Sequence, residues 1–370
     1  MKSIARKLAF TLADIRLRFA VLVAILTLGW ACFPVSHVTY SDPQDSSTNQ
    51  WLIEAKTGDT KVQLTMRHTR QRDGGGFSYN NTGFDIPLEQ LAGLTHEQVM
   101  SSGTHVQFQL KRDAGAFTFD GWFKDGNGSG HFTFSPSRTF AAELDKQGFG
   151  TPTDEQLLSL AINDVGFALV AELKVQGYET PTLEQLVRIG NHGVRLEYVE
   201  GLKSLGYSLK STDLLVRMKD HGASLSFIRE LGALGFTGLA PEELIRAKDH
   251  GVSANFISEF TKAGYASLPL DDWITLKDHG VSTKFVEELL PLGYVRLPID
   301  DLRRMKDHGV NPSFIQELKE VGFDHLPVDQ LIRLRDHGVS ATYIRKMKER
   351  GYSDLPLDEY IRMRDRGTLD

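Results

Sequence analysis

The chain reads as an α+β multidomain protein with a single N-terminal membrane helix, a small antiparallel β domain, and an all-α solenoid of eight 29-residue helix-pair repeats. Three observations carry that reading. Phe19–Val35 runs 17 residues without a charge, near the lower end of the length that spans a bilayer. Between Trp51 and Ser135 apolar and polar residues alternate, broken by Gly-rich turns, as antiparallel strands with one buried face require. From Ser137 onward a Gly–aromatic pair recurs every 29 residues without insertion, the mark of stacked repeats. At 370 residues and 41% hydrophobic content the chain can build two cores. Its net charge of −6 disfavours general nucleic-acid binding. The one cysteine, Cys32, allows no intrachain disulfide and no cysteine-based zinc site.

Residues 1–35 form the expected signal-anchor. Lys2, Arg6, Lys7, Arg16 and Arg18 precede the apolar run, while Asp42 and Asp45 follow it. That asymmetry places the N-terminus in the cytoplasm and translocates the bulk of the chain. A retained single-pass anchor is the primary reading. The alternatives are cleavage near Gly29 and Ala31, which would release a secreted chain, and lipidation at Cys32. Residues 36–50 are polar and turn-rich and read as a tether.

Residues 51–135 form the β domain. Val62, Leu64 and Met66 share one face of a strand, as do Val106, Phe108 and Leu110. "AFTFDGWF" and "HFTF" alternate in the same way. About six strands are expected, interrupted by one helical stretch, "PLEQLAGLTHEQVMSS".

Residues 137–368 form the repeat array. In the unit Ser253–Val281, Ser253 is placed as a helix N-cap, and Phe256, Ile257 and Phe260 form a buried stripe. Ser137, Ser224, Ser282, Asn311 and Ser340 match Ser253, with Gly166 and Arg195 as exceptions. Gly264 stops the first helix and Tyr265 packs back on its last turn. The second helix opens near Pro269, as a proline suited to a first turn, with Asp271 there to offset the helix dipole. All eight copies are acidic at the Asp271 position.

Each second helix ends in "KDHGV" or a variant of it. A recurring His beside an Asp is either a ligand set or the end of a helix. The glycine sits where a left-handed residue closes a helix, and Asp164 replaces it in the first copy. His192, His221, His250, His279, His308 and His337 therefore fall at a helix C-terminus, with Asn163 and Arg366 at the matching end positions. Equivalent side chains on stacked helices lie ~8–10 Å apart, too far for two of them to share a zinc ion at ~2 Å. Capping and inter-repeat hydrogen bonding are thus expected, and an interaction or pH-sensing column is the sharper alternative. Arg217, Arg246, Arg304, Arg333 and Arg362 are spaced to bridge to the Asp three residues on within their own helix.

Catalytic signals are thin. "HEQVM" (His96–Met100) has Met100 where a zinc-protease motif needs its second histidine. His105 and His131 fall on the polar face of their strands, close enough in pattern to approach each other. No Gly-rich phosphate loop, nucleophile elbow or Cys/His pair is present, and no cofactor or metal is expected. From Ser137 to Asp370 there are 29 Lys/Arg and 36 Asp/Glu, a net of −7. Lys219, Lys248, Lys277, Lys306, Arg335 and Arg364 form a basic column with acidic columns beside it.

The unit "L-P-x-D-x-L-I-R-M-K-D-H-G-V-S-x-x-F-I-x-E-L" resembles the tails of some bacterial membrane sensor proteins related to the beta-lactam-sensing metallopeptidases. "GTHVQFQLKRDAGAFTFDGWF" (Gly103–Phe123) resembles the small domain that accompanies those tails. The resemblance covers Trp51 to the C-terminus and implies a bacterial envelope setting with a sensing or signalling role. It brings no peptidase, because the chain has no HExxH and only one hydrophobic segment. The expected function is that of a non-enzymatic, membrane-tethered scaffold binding a protein partner through the array. The alternative is a ligand-binding β domain, centred on Trp122, displayed on a structural spacer.

Overall fold

The computed structural model describes residues 49–55, 58, 60–72, 76–353 and 355–367. The expected membrane segment Phe19–Val35 and Cys32 lie outside them. Among the described residues no single helix is long and apolar enough to cross a membrane.

Seven strands form one antiparallel sheet: β1 (Gln50–Glu54), β2 (Lys61–Arg72), β3 (Gly76–Pro87), β4 (Leu91–Ala92), β5 (Ser102–Arg112), β6 (Gly115–Lys124) and β7 (Asn127–Pro136). Their order is β3-β2-β1-β7-β6-β5-β4. The strand beyond the expected six is β4, whose Leu91 pairs with Leu110. The expected helical stretch is mostly absent. A 3-10 turn at Leu88–Gln90 leads into β4, and only His96–Val99 is helical. Gly93 explains the break: it takes φ +95°, and a Cβ there would stand 3.3 Å from the Gln107 carbonyl oxygen.

By internal contacts the chain divides into two units, Met1–Ile86 with Glu97–Val106 and Asp120–Thr133, and Pro87–His96 with Gln107–Phe119 and Phe134–Asp370. In the first, Trp51, Ile53, Leu64, Met66, Phe123 and Phe132 are buried, all on the inner side of the two-residue alternation. Trp51 lies over Gly121 and Gly130, where a Cβ would come within 2.7 and 2.8 Å of its indole ring.

The second unit holds the turn end of the β5–β6 hairpin and, after the end of β7, eight helix pairs. The repeats are Ser137–Val165, Gly166–Val194, Arg195–Ala223, Ser224–Val252, Ser253–Val281, Ser282–Val310, Asn311–Val339 and Ser340–Thr368. First helices pack on first helices of the next repeat, and second on second. This is the stacking of an α-solenoid. Every helix of the array is nine residues long except Thr283–Leu289, which ends in a 3-10 turn at Leu290–Leu292. Pro291 has no N–H to continue the helical ladder there.

Capping makes the short helices viable. The hydroxyls of Ser137, Ser224, Ser253, Ser282 and Ser340, and the Asn311 carbonyl, accept from the backbone N–H three residues on. Each of the eight first helices closes with two bonds, as at Gly264 N–H to Thr261 O and Tyr265 N–H to Phe260 O, both 2.9–3.1 Å. The second helices of the first seven repeats close in the same way, with Asp164 at φ +53° in the glycine position. One expectation shifts by a residue. Pro269, Pro298, Pro327 and Pro356 are N-caps, not first-turn residues, since their ψ near +150° is extended while helical ψ begins one residue later.

Gly166 and Arg195 depart from the N-cap pattern for structural reasons. The Asp113 carboxylate, on the β5–β6 turn, accepts from Phe167 N–H at 2.8 Å. It occupies the space a side chain at 166 would need, with Oδ2 2.4 Å from a Cβ built there. Arg195 reaches back instead, donating to the Gly190 carbonyl at 3.0 Å and to Asn163 Oδ1 at 3.3 Å. Burial holds its guanidinium below the ordinary value, against the pull of Asp164.

Candidate functional site: the rungs of the array and the outer face of the sheet

The six histidines do not converge. Each is the C-cap of its helix, and each ring meets a carboxylate from the next repeat. His192 Nδ1 lies 2.7 Å from Asp220 Oδ1, His221 2.7 Å from Asp249, and His250 2.7 Å from Asp278. His279–Asp307, His308–Asp336 and His337–Asp365 follow at 2.6, 2.8 and 2.8 Å. The partner is always 28 residues on, so the Asp beside each His from His221 onward serves the previous repeat's His, and Asp365, beside Arg366, serves His337. Among the described residues no group of three or more His, Cys, Asp or Glu could hold a metal ion.

The first junction carries the same rung in neutral form. Asn163 stands where the others have His, and Asn191 where they have Asp. Asn163 Nδ2 donates to Asn191 Oδ1 at 2.8 Å. Both members change together, and the hydrogen bond between repeats is kept. A catalytic or metal-binding column has no reason to show that substitution, whereas a structural rung does.

A second set of rungs corrects the expected intrahelical Arg–Asp pairs. Arg188 reaches Asp213 at 2.5 Å, Arg217 grips Glu242 through two bonds of 3.0 and 2.9 Å, and Arg246 pairs with Asp271. Arg304–Asp329 and Arg333–Asp358 complete it at 2.5 and 2.8 Å. The acceptor is the first-turn acid of the next repeat, because side chains on a helix lean toward its N-terminus and over the neighbouring helix. Thr275 breaks the series. Its would-be partner Asp300 is taken instead by Arg303 of its own helix, at 2.6 Å, which also holds Asp307 at 2.9 Å.

The basic column is a third set. Lys219, Lys248, Lys277 and Lys306 place their ammonium groups 4.9, 4.8, 4.5 and 5.1 Å from the ring centroids of Tyr198, Phe227, Phe256 and Phe285 in their own repeats. Arg335 and Arg364 do the same over Phe314 and Tyr343. The stems of Lys248 and Lys277 cover Gly222 and Gly251 of the repeats before. The second-helix face is thus occupied by its own rungs.

On the sheet, His105 Nε2 pairs with Asp120 Oδ1 at 3.1 Å, and its ring meets the edge of Trp122 at 4.9 Å and 62°. Trp122 and Leu52 are 60% and 54% exposed, high for large apolar side chains on regular strands.

Sequence reasoning identifies the helix ends and expects inter-repeat hydrogen bonding at the histidines, but it misses the partners of those bonds, the Arg–acid rungs and the cation–ring contacts. The signal that points to them is the joint change at Asn163 and Asn191, with Arg303 appearing where Thr275 interrupts the arginine column. No family model matches the chain, and comparisons with curated proteins and with solved structures find no match.

Proposed function

We propose that the chain is a non-enzymatic, membrane-tethered scaffold that binds a protein partner through its helical array. One observation carries this reading: the array has a constant face and a varying one. On the second helices the acid, the Lys/Arg, the Asp and the His recur and are engaged in rungs. On the first helices the outward sixth position of the repeat reads Ala142, Ala171, Glu200, Arg229, Ser258, Glu287, Gln316 and Arg345, exposed in all but Ser258. The tenth reads Lys146, Val175, Ser204, Ala233, Lys262, Pro291, Glu320 and Glu349, exposed throughout. Positions that build the stack cannot change freely, while positions that face a partner must differ to give specificity. A long surface of graded identity suits an extended protein partner.

The test is in-cell crosslinking of the full chain against a variant carrying Glu200→Lys, Arg229→Glu and Glu287→Lys. Loss of captured partners at unchanged helicity supports the reading. An undiminished partner set from the folded variant removes the array as the binding surface. A second reading, in which the β domain binds a ligand and the array only spaces it, rests on the exposure of Trp122.

A further inference from the structure

We propose that the outer face of the sheet around Trp122 is a binding platform for a neutral saccharide. The register defines it. Across β1 and β7, Gln50 is opposite His131, Leu52 opposite Ser129, and Glu54 opposite Asn127. Gly121 and Gly130 abut across β6 and β7, since a Cβ on Gly130 would lie 2.7 Å from the Gly121 Cα. One residue along each antiparallel strand, Trp122 therefore faces Ser129. Leu52, Ser129 and Trp122 form a line across three neighbouring strands, which puts the two apolar side chains about 10 Å apart. The small Ser129 between them is the floor of a shallow trough, and the His105 ring braces the far side of the indole.

The trough is rigid from below. Trp51 packs under Gly121 and Gly130 and donates its indole N–H to the Asp120 carbonyl at 3.1 Å. Asp120 is held on the outer side by His105 at 3.1 Å. An exposed aromatic on a braced strand loses little freedom when covered, so its stacking energy is available to a ligand.

The surroundings select the chemistry. Gln50, Asp120, Asn127, Ser129 and His131 are all exposed on this face, short side chains suited to hydroxyl groups as donors or acceptors. Leu52 and Trp122 are its exposed large apolar groups. Together they offer on the order of 200 Å², against ~800 Å² per partner in a standard protein interface. Charge disfavours phosphate and anionic lipid, because Glu54 and Asp120 balance Lys124 and Arg67, which is opposite Gln50, and leave no positive excess. A pyranose combines an apolar C–H face, which the electron-rich indole face attracts, with a rim of hydroxyls. A platform of one ring bordered by amides, a carboxylate and imidazoles matches both.

The experiment is calorimetric titration of the full chain with cellohexaose, maltohexaose and chitohexaose, beside a flotation assay with phosphatidylglycerol vesicles. Binding of at least one hexaose is expected. Trp122→Ala should weaken it by about tenfold or more, and Trp122→Phe, which keeps a ring, by only a few-fold. Asp120→Asn provides a second variant that leaves the indole in place and should also weaken binding. Circular dichroism confirms that each variant is folded. The proposal is overturned if no hexaose binds, if binding is unchanged in Trp122→Ala, or if Trp122 is required for vesicle flotation and for no saccharide.

Discussion

Replacing Asp249 by Asn removes the charge from one rung while keeping a side chain of the same shape. Asp249 Oδ1 sits 2.7 Å from His221 Nδ1, and the two side chains are 43% and 41% exposed. Solvent screening at that exposure limits such a pair to roughly 0.2–1 kcal/mol, and ~0.5 kcal/mol is the working figure. Either single variant, His221→Asn or Asp249→Asn, should lose about that amount. The double variant reproduces the Asn163–Asn191 rung of the first junction, where the amide hydrogen bond is 2.8 Å, so it should recover most of the loss. The coupling, the loss in the double variant less the two single losses, is then favourable by ~1 kcal/mol. Because stacked repeats add nearest-neighbour terms, changing all six aspartates to Asn should cost about 3 kcal/mol. Urea unfolding of the four proteins of the cycle reads this out, provided the denaturant slope is the same in each. A coupling indistinguishable from zero, or a double variant worse than the sum of the singles, refutes the assignment of these pairs as rungs.

Three further outcomes follow from local geometry. Gly166→Ser installs the residue favoured at an N-cap, yet it should lower Tm, because Asp113 Oδ2 is 2.4 Å from the new Cβ; Asp113→Ala in the same chain should restore it, and a rise in the single variant would contradict the trans cap. Ser267 holds φ +58° on an exposed turn, so Ser267→Gly should stabilise by roughly 0.5 kcal/mol, the left-handed penalty less the added unfolded-state entropy, and a lower urea midpoint would count against that strain. Burial pushes the Asp307 carboxyl up, but His279 and Arg303 outweigh it and hold it below the ordinary carboxylate value. Its contribution is therefore present above about pH 4 and lost as the pH falls through the folded value; carbon-13 titration should find that value raised in His279→Ala, and no movement would sever the link.

What could be read from sequence was whatever depends on neighbours along the chain. Ser253 as a cap, Gly264 as a stop and Asp164 as a left-handed substitute for glycine each follow from one turn of helix. The inward row Val62, Leu64 and Met66 follows from the alternation of a strand. What could not be read depends on how repeats lean on one another. Arg217 has Asp220 three residues away and Glu242 twenty-five away, and only the stacking angle chooses Glu242. Asp113 caps a helix fifty-four residues downstream, which no local pattern announces, although the anomalous Gly166 marks the place. The stretch around Gly93 misleads because its apolar spacing suits a helix while Leu91 is drawn into pairing with β5. At the Trp122 face, the sequence made Trp122 the centre of the alternative reading, but its outward placement and the bracing by His105 and Trp51 emerge only from strand register.

The rungs span 25 and 28 residues inside a period of 29, and this has a consequence for how such a gene can change. Excise the fourth unit, Ser224–Val252, and His221 comes to face Asp278, Arg217 comes to face Asp271, and the Lys277 stem falls over Gly222. Each new neighbour has the chemistry of the one it replaces. Unequal recombination between units can therefore shorten or extend the array in whole steps without leaving a charge stranded at the seam. Length becomes a property that selection can adjust separately from stability, one turn of the stack at a time.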